Sequence, residues 1–383
     1  MGGERAGIRL RRGTVVSVGA SRPGAVELEV EVEGERAPAV AYPELTGPLR
    51  EGDVVLLNTT AVGLGLGTGG FHLVIAVEGE WATELSHGGR VMKARYTPQQ
   101  VAVRSVEETH REQLEGSRGL QGTPVVAAPL HSMIGPIAAG AKASLDGRVV
   151  YVMTDGAALP GPFSRLVPWL REAGLLDGFI TCGQAFGGEL EAVTVWTALL
   201  AAKEVLEADV IVVADGPGNL GTDTTWGVSA LSSGHALNAA EALGGVPVAA
   251  LRVSFADTRP RHRVVSHHSL TILERVCTAR ANVAVPVLED EQRDAVWEAL
   301  RARKLEEKHQ LVEVDGRPAI DKLDELGFEV ESMGRIPKDD LAFFLSAGAA
   351  GVLGGRMAAE SRPSGWLTSR GPSGTMYEPP SDP

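Results

Sequence analysis

The stretch Val210-Ile-Val-Val-Ala-Asp-Gly-Pro-Gly-Asn-Leu-Gly-Thr222 decides the fold. Its first five residues are apolar without alternation, the pattern of a strand covered on both faces, as strands of parallel sheets are. A glycine-rich loop follows, then a helical stretch. The same unit recurs on either side. Upstream lie Val125-Val-Ala-Ala128, Val149-Val-Tyr-Val-Met153 and Gly178-Phe-Ile-Thr181. Downstream lie Val246-Pro-Val-Ala-Ala-Leu251, Val283-Ala-Val285, Leu311-Val-Glu-Val314 and Phe328-Glu-Val-Glu-Ser332. Helices are predicted between them, notably over residues 189–206 and 289–303, and over 269–280 with Ser266 as N-cap. Eight βα units in about 230 residues would also suit a (β/α)8 barrel. Uneven unit lengths and the polar last two strands favour an open, doubly wound, mainly parallel sheet, with the barrel as the alternative.

Before this region the rhythm differs. From Ile8 to about Tyr96, short runs such as Gly13-Thr-Val-Val-Ser-Val18 and Val26-Glu-Leu-Glu-Val-Glu-Val32 alternate apolar and polar residues, the period of half-buried strands. Gly63-Leu-Gly-Leu-Gly-Thr-Gly-Gly70 reads as a flexible loop between two of them. Five or six such strands predict a small barrel of the OB or SH3-like kind. No basic stripe interleaved with aromatics is present, so a structural or interface module is favoured and nucleic-acid binding is not expected. The predicted organisation is an all-β domain over 1–104, a polar linker over 105–122 with a helix at 106–114, an α/β domain over 123–355, and a Pro-, Ser- and Gly-rich disordered tail over 356–383.

Bulk properties exclude several classes. The chain has 383 residues, 49 acidic against 36 basic, for a net charge of −13. Such a chain repels nucleic acid and anionic membrane as a whole, so an anion site must be a local basic exception. Its two cysteines, Cys182 and Cys277, cannot form a disulfide framework, which fits a reducing compartment. Residues 1–20 lack the apolar run of a signal peptide, and no uninterrupted apolar stretch of about 18 residues occurs. A soluble cytoplasmic protein is expected, and a homo-oligomer is compatible with the sequence.

Ligands of parallel α/β sheets bind beyond the carboxyl ends of the strands, so the loops after each strand are the candidate site. They contribute His131 and Ser132, Asp155, Gln184, and then Gly216, Gly218, Gly221 and Thr222. The three glycines have G-x-G-x-x-G spacing, but Pro217 removes a donor and no acid follows at the ribose-binding distance. A tight turn or a general anion loop suits them better than a dinucleotide fingerprint. No G-x-x-x-x-G-K-[ST] is present. After the fifth strand, residues 252–268 carry Arg252, Arg259, Arg261 and Arg263 against Asp257 alone, a net +3. Guanidinium forks suit phosphate and carboxylate oxygens, although pairing with surface carboxylates would account for them equally well. His262, His267 and His268 lie in the same segment. His262 and His268 with Asp257 or Asp155 would make a divalent metal site. The adjacent His267 and His268 are expected to point apart, so only one of the two enters that set. Cys182 is better read as a buried hydrophobe than as a nucleophile, and the neighbours His131 and Ser132 are no evidence for a triad.

Several of these motifs together resemble a bacterial domain-of-unknown-function family, number 3866. They are Gly89-Arg-Val-Met-Lys-Ala-Arg-Tyr-Thr-Pro98, Leu130-His-Ser132, Val152-Met-Thr-Asp-Gly156, Gly183-Gln-Ala-Phe-Gly-Gly188, Arg252-Val-Ser-Phe-Ala-Asp257, Arg261-His-Arg263 and Ser266-His-His268. The likeness covers residues 8–355. It implies no activity, and it implies a fourth loop without an acid at position 215, which sets Asp215 outside the expected site.

Two readings follow. In the first, the chain is an enzyme acting on a small anionic substrate, with or without a divalent metal. Asp155, His262 and His268 would serve as acid, base or ligand, Arg261 would clamp the anion, and the glycines would line the pocket. In the second, it is a non-catalytic ligand-binding or regulatory protein using the same loops.

Overall fold

The computed structural model describes residues 7–66, 69–79 and 88–361. Five strands form a closed barrel: β1 (Leu10–Arg22), β2 (Ala25–Val32), β3 (Glu35–Ala41), β4 (Val54–Asn58) and β5 (His72–Val77), in the order β1-β2-β3-β5-β4. β1 closes on β4, and β3 runs parallel to β5. This is the five-stranded Greek-key barrel of the OB kind. Alternation along β2 buries Leu28, Val30 and Val32 and turns Glu27, Glu29 and Glu31 outward. Two register shifts in the long β1 supply the coiling that closure needs.

The barrel ends at Val77, earlier than the expected domain boundary at 104. A ribbon of β6 (Val91–Lys93) and β7 (Val101–Val103) packs instead on the α/β domain. It is held by Lys93, which is fully buried and donates from Nζ to the carbonyls of Ala185 and Ala192 at 2.8 and 2.9 Å and faces Glu191 at 3.2 Å. Residues 105–122 are likewise not a free linker. Glu108 reaches back to accept from the Ser105 amide at 3.1 Å, and Val106 and Leu120 are completely buried in the α/β core.

The α/β domain contains β8 (Pro124–Ala127), β9 (Val149–Thr154), β10 (Gly178–Cys182), β11 (Leu190–Ala192), β12 (Val210–Asp215), β13 (Val246–Ala250), a short antiparallel pair β14 (Val253–Ser254) and β15 (Val264–Val265), β16 (Asn282–Pro286) and β17 (Gln310–Val314). Eight of them form one open, all-parallel sheet in the order β11-β10-β9-β12-β8-β13-β16-β17. The open, doubly wound sheet is therefore the fold, and the (β/α)8 barrel is excluded because β11 and β17 do not meet. Helices Ile134–Ser144, Leu166–Glu172, Arg317–Glu325 and Leu341–Glu360 cover one face; Val195–Glu204, Ser232–Ala242 and Asp290–Arg301 cover the other.

Four elements depart from the sequence reading. Phe328-Glu-Val-Glu-Ser332 alternates like a strand, yet it is a loop that buries Val330 and exposes its glutamates. The eighth strand of the sheet is instead the short β11, at the edge opposite β17 and inside the segment expected to be helix from 189. The predicted 269–280 helix is instead a short α-helix, His267–Thr271, continued by a π-helical turn, Ile272–Val276, and stopped at Cys277. The last helix, Leu341–Glu360, crosses the expected tail boundary at 355, and residues 362–383 lie outside those described. That helix is long and apolar enough to cross a membrane, but 83% of its most apolar window is buried inside the domain. Its glycines account for the burial. A Cβ on Gly351 would strike the carbonyl of Ile137, and one on Gly140 would stand 2.5 Å from the carbonyl of Gly348. The two helices thus touch backbone to backbone, and even alanine at these positions would part them.

Candidate functional site

From β8 the chain crosses to β9 over one face of the sheet, and from β12 to β13 over the other. The loops after β8 and β12 therefore diverge, and a crevice opens between the carboxyl ends of these neighbouring strands. Such a switch point is where open α/β sheets take up ligands. A cleft of about 390 Å³ occupies it, walled by residues 129–132 and 217–222 and by Arg252, Arg259, Arg261, His262 and His268, with Met333 closing one side.

The floor is polar and tightly ordered. Asp215 ends β12, is 1% exposed, and accepts on Oδ1 from Thr154 Oγ1 at 2.6 Å, Ser232 Oγ at 2.9 Å and the Gly156 amide at 3.2 Å, and on Oδ2 from Asn219 at 2.9 Å. Burial pushes its carboxyl upward, against the pull of those donors. His131 pairs through Nε2 with Ser164 Oγ at 2.8 Å and through Nδ1 with Tyr151 Oη at 3.2 Å. Tyr151 donates onward to the Asp215 carbonyl at 3.1 Å. Burial lowers the His131 pKa to about 4, so the ring is neutral.

The basic wall is built by the β14–β15 hairpin, which brackets residues 255–263. Arg252 is buried and its Nη2 meets Asp257 Oδ2 at 2.9 Å; Arg259 forks onto both oxygens of the same carboxylate at 2.9 and 2.8 Å. The hydrogen bonds from Arg259 hold the Asp257 carboxyl far below its usual range. Arg261 pairs with the exposed Asp223 of the β12 loop at 2.5 Å. Asp257 is already counted in the net +3 of the segment, and Asp223 from outside it neutralises one further charge.

Ser266 caps the helix His267–Thr271, accepting from the His268 amide, and His262 Nδ1 lies 2.9 Å from the same hydroxyl. Three imidazoles meet here. The rings of His262, His267 and His268 have centroids 4.1 to 5.2 Å apart, and one nitrogen of each lies within 4.8 Å of the others. Nε2 of His267 and Nε2 of His268 are buried without a hydrogen-bond partner among the described residues. Nε2 of His262 receives only a long contact of 3.3 Å from Arg261 Nε. Burial first, then the nearby arginines, lowers His262 to about 3; burial and His267 bring His268 to about 4. The three rings are neutral at pH 7 and present lone pairs, the form in which imidazole binds a metal.

The sequence-derived residues divide accordingly. His131, Ser132, Gly218, Gly221, Thr222, Arg261, His262 and His268 all line the cleft. Gly216 is buried beneath it against the carbonyl of Ala158. Asp155 and Gln184 are not among the lining residues; they pair with each other, the Gln184 amide donating to Asp155 Oδ2 at 2.8 Å one strand away. Asp257 is no metal ligand, because the arginine forks consume its carboxylate. His267 takes the third place in the cluster. Successive residues of a helix differ by about 100° rather than 180°, so adjacent histidines on a first turn can converge. The glycine-spaced loop does not open a helix: Gly221 bridges back to Val228, and the next helix begins only at Ser232. The Cys182 thiol is buried and pushed up to about 12, which leaves no thiolate. Asp215, which the family resemblance sets outside the expected site, instead organises the floor beneath it, and Asn219 and Met333 join the site without a signal in the sequence.

The architecture is that of an OB-type barrel joined to a doubly wound α/β domain with a switch-point cleft. The chain belongs to the family of proteins of unknown function DUF3866, whose model matches residues 38–351. No curated protein and no solved structure matches it.

Proposed function

We propose that the chain is an enzyme acting on a small anionic substrate, a phosphate or carboxylate, with a divalent metal ion held by His262, His267 and His268. The observation that carries this reading is the pair of orphaned Nε2 atoms on His267 and His268, clustered with His262 beside a cleft that His262, His268 and three arginines line. Leaving two buried nitrogens unpaired costs about 1–3 kcal/mol each, a cost that coordination removes. Three imidazoles with an open fourth position are a zinc arrangement of the catalytic kind. An ion there would polarise a substrate oxygen or lower the pKa of a bound water. Metal binding would displace Arg261 from His262 Nε2. Its guanidinium, held otherwise by the exposed Asp223, would then be free to grip the substrate anion.

Nucleic acid does not suit the site. The chain carries a net charge of −13, which opposes a phosphate backbone, and the cleft has room for a small molecule. The buried, unpaired Cys182 and Cys277 agree with a reducing compartment such as the cytoplasm.

The test is titration of metal-free protein, prepared without a histidine tag, with zinc. About one equivalent should bind per chain, and His267→Ala with His268→Ala should remove it. Inorganic phosphate or acetate should then raise the melting temperature of the metal-loaded protein. Failure to bind zinc or another divalent ion near stoichiometry would end the metal part of the reading; absence of any anion shift would end the rest.

A further inference from the structure

A second chamber of about 650 Å³ opens off the cleft, between the barrel and the α/β domain, and the two share His131, Ser132, Pro217, Gly218 and Met333 in their walls. We propose that the substrate is an anion bearing an uncharged, ring-sized apolar body, and that this body lies in the interdomain chamber while the anionic group reaches the arginines and histidines. The inference rests on the enzyme reading of the cleft.

The chamber is a built space. Gly24, with φ +76°, brings the β1–β2 turn against the Pro162 ring, where a Cβ would stand 2.5 Å away. Arg22 Nε donates to the Pro162 carbonyl at 2.8 Å, and Arg165 forks onto Glu27 at 2.7 and 2.6 Å. These contacts fix the barrel as a roof. The β1–β2 turn and the end of the β4–β5 connection at Gly69 and Phe71, in the region where barrels of this kind commonly hold ligands, thereby face the α/β domain across the chamber.

The walls select the ligand. Phe71 from the barrel and Phe163, Leu166 and Phe328 from the α/β domain supply apolar surface. The charges within are spent on one another, since Glu27 is bound by both Arg22 and Arg165. Arg165 already lies over the Phe71 ring at 5.2 Å. No uncommitted guanidinium faces this end among the described residues, and the exposed Glu329 and Glu331 at its margin repel a second anion. The anionic group must therefore point to the histidines, and the body must be neutral. A bare phosphate would leave the chamber filled only with water, whereas pockets of this size and lining commonly enclose organic ligands.

The experiment is calorimetric titration of the metal-loaded full chain with inorganic phosphate, methylphosphonate and phenylphosphonate, and with acetate and benzoate as the carboxylate pair. The ring-bearing member of at least one pair should bind at least tenfold more tightly than its methyl counterpart. Phe71→Ala, and separately Phe328→Ala, both of which line the interdomain chamber and not the cleft, should cut that advantage severalfold while leaving inorganic phosphate or acetate within twofold. A variant that merely misfolds would lose the simple anions as well, so the selective loss in either variant is the supporting result. Equal binding of ring and methyl ligands, or equal losses for both in the two variants, overturns the inference while the anion site stands. Failure of every anion, the simple ones included, removes the cleft reading and this one with it.

Discussion

The hydroxyl of Thr154 donates to Oδ1 of Asp215 across 2.6 Å, joining the last residues of two neighbouring parallel strands directly beneath the cleft. The same carboxylate also gathers Ser232, Asn219 and the Gly156 amide, so one buried group sets the relative position of three chain segments at the switch point.

Asp215→Ala should therefore cost about 3 kcal/mol of stability, because it strands several buried donors at once. Asp215→Asn retains an acceptor and should cost about 1 kcal/mol. Urea unfolding measures both. A loss in Asp215→Ala no greater than that of a surface substitution would mean that water replaces the carboxylate and that the floor is not rigid.

Acid should destabilise the fold through His131. Its native pKa is near 4 and its unfolded value near 6.5. Above pH 6.5 both states are neutral and the group contributes no pH dependence. As pH falls from 6.5 to 4 only the unfolded chain takes up the proton, so native stability falls by about 3 kcal/mol. His131→Gln should flatten that part of the stability profile. Asp215 acts in the opposite sense, since its raised carboxyl pKa favours the fold on acidification.

Lys93→Ala should cost about 3–5 kcal/mol, the penalty of leaving Glu191 charged and buried beside two unpaired carbonyls. Adding Glu191→Gln to it should recover part of the loss. Unfolding curves of the single and double variants read the coupling directly, and simple additivity would contradict the pairing.

Metal and anion should bind cooperatively. Arg252, Arg259 and Arg261 lower the proton affinity of the neighbouring histidines, and the same field opposes a cation. A bound phosphate relieves it. Zinc affinity should thus rise severalfold in saturating phosphate, with an equal rise in phosphate affinity when zinc is present, as linkage requires. Titrations in both orders check it.

Much of the sheet is legible in the sequence because its strands are apolar on both faces, and short apolar runs bounded by turn residues at this spacing suit few arrangements besides a covered parallel sheet. The failures have local causes. β11 hides because it is three residues long and centred on Glu191, whose burial depends on Lys93 almost a hundred positions earlier. Phe328-Glu-Val-Glu-Ser332 imitates a strand because a loop pinned by one buried valine has the same alternation. The helix Leu341–Glu360 escaped notice because its small residues serve close contact with another helix, which a single stretch of sequence does not reveal. Within the site, the loops to inspect followed from the parallel sheet. The pairing of Asp257 with arginines and the convergence of His267 depend on side-chain directions, and spacing alone pointed the wrong way for both.

At the centre of the proposed function, three imidazoles hold one metal ion at the switch point. Anomalous diffraction at the zinc edge, from crystals of the full chain grown with zinc, tests this most directly. The predicted result is a single strong peak about 2.0–2.1 Å from one nitrogen each of His262, His267 and His268, with the fourth side open to the cleft. No peak there, with the three rings still clustered, would contradict it.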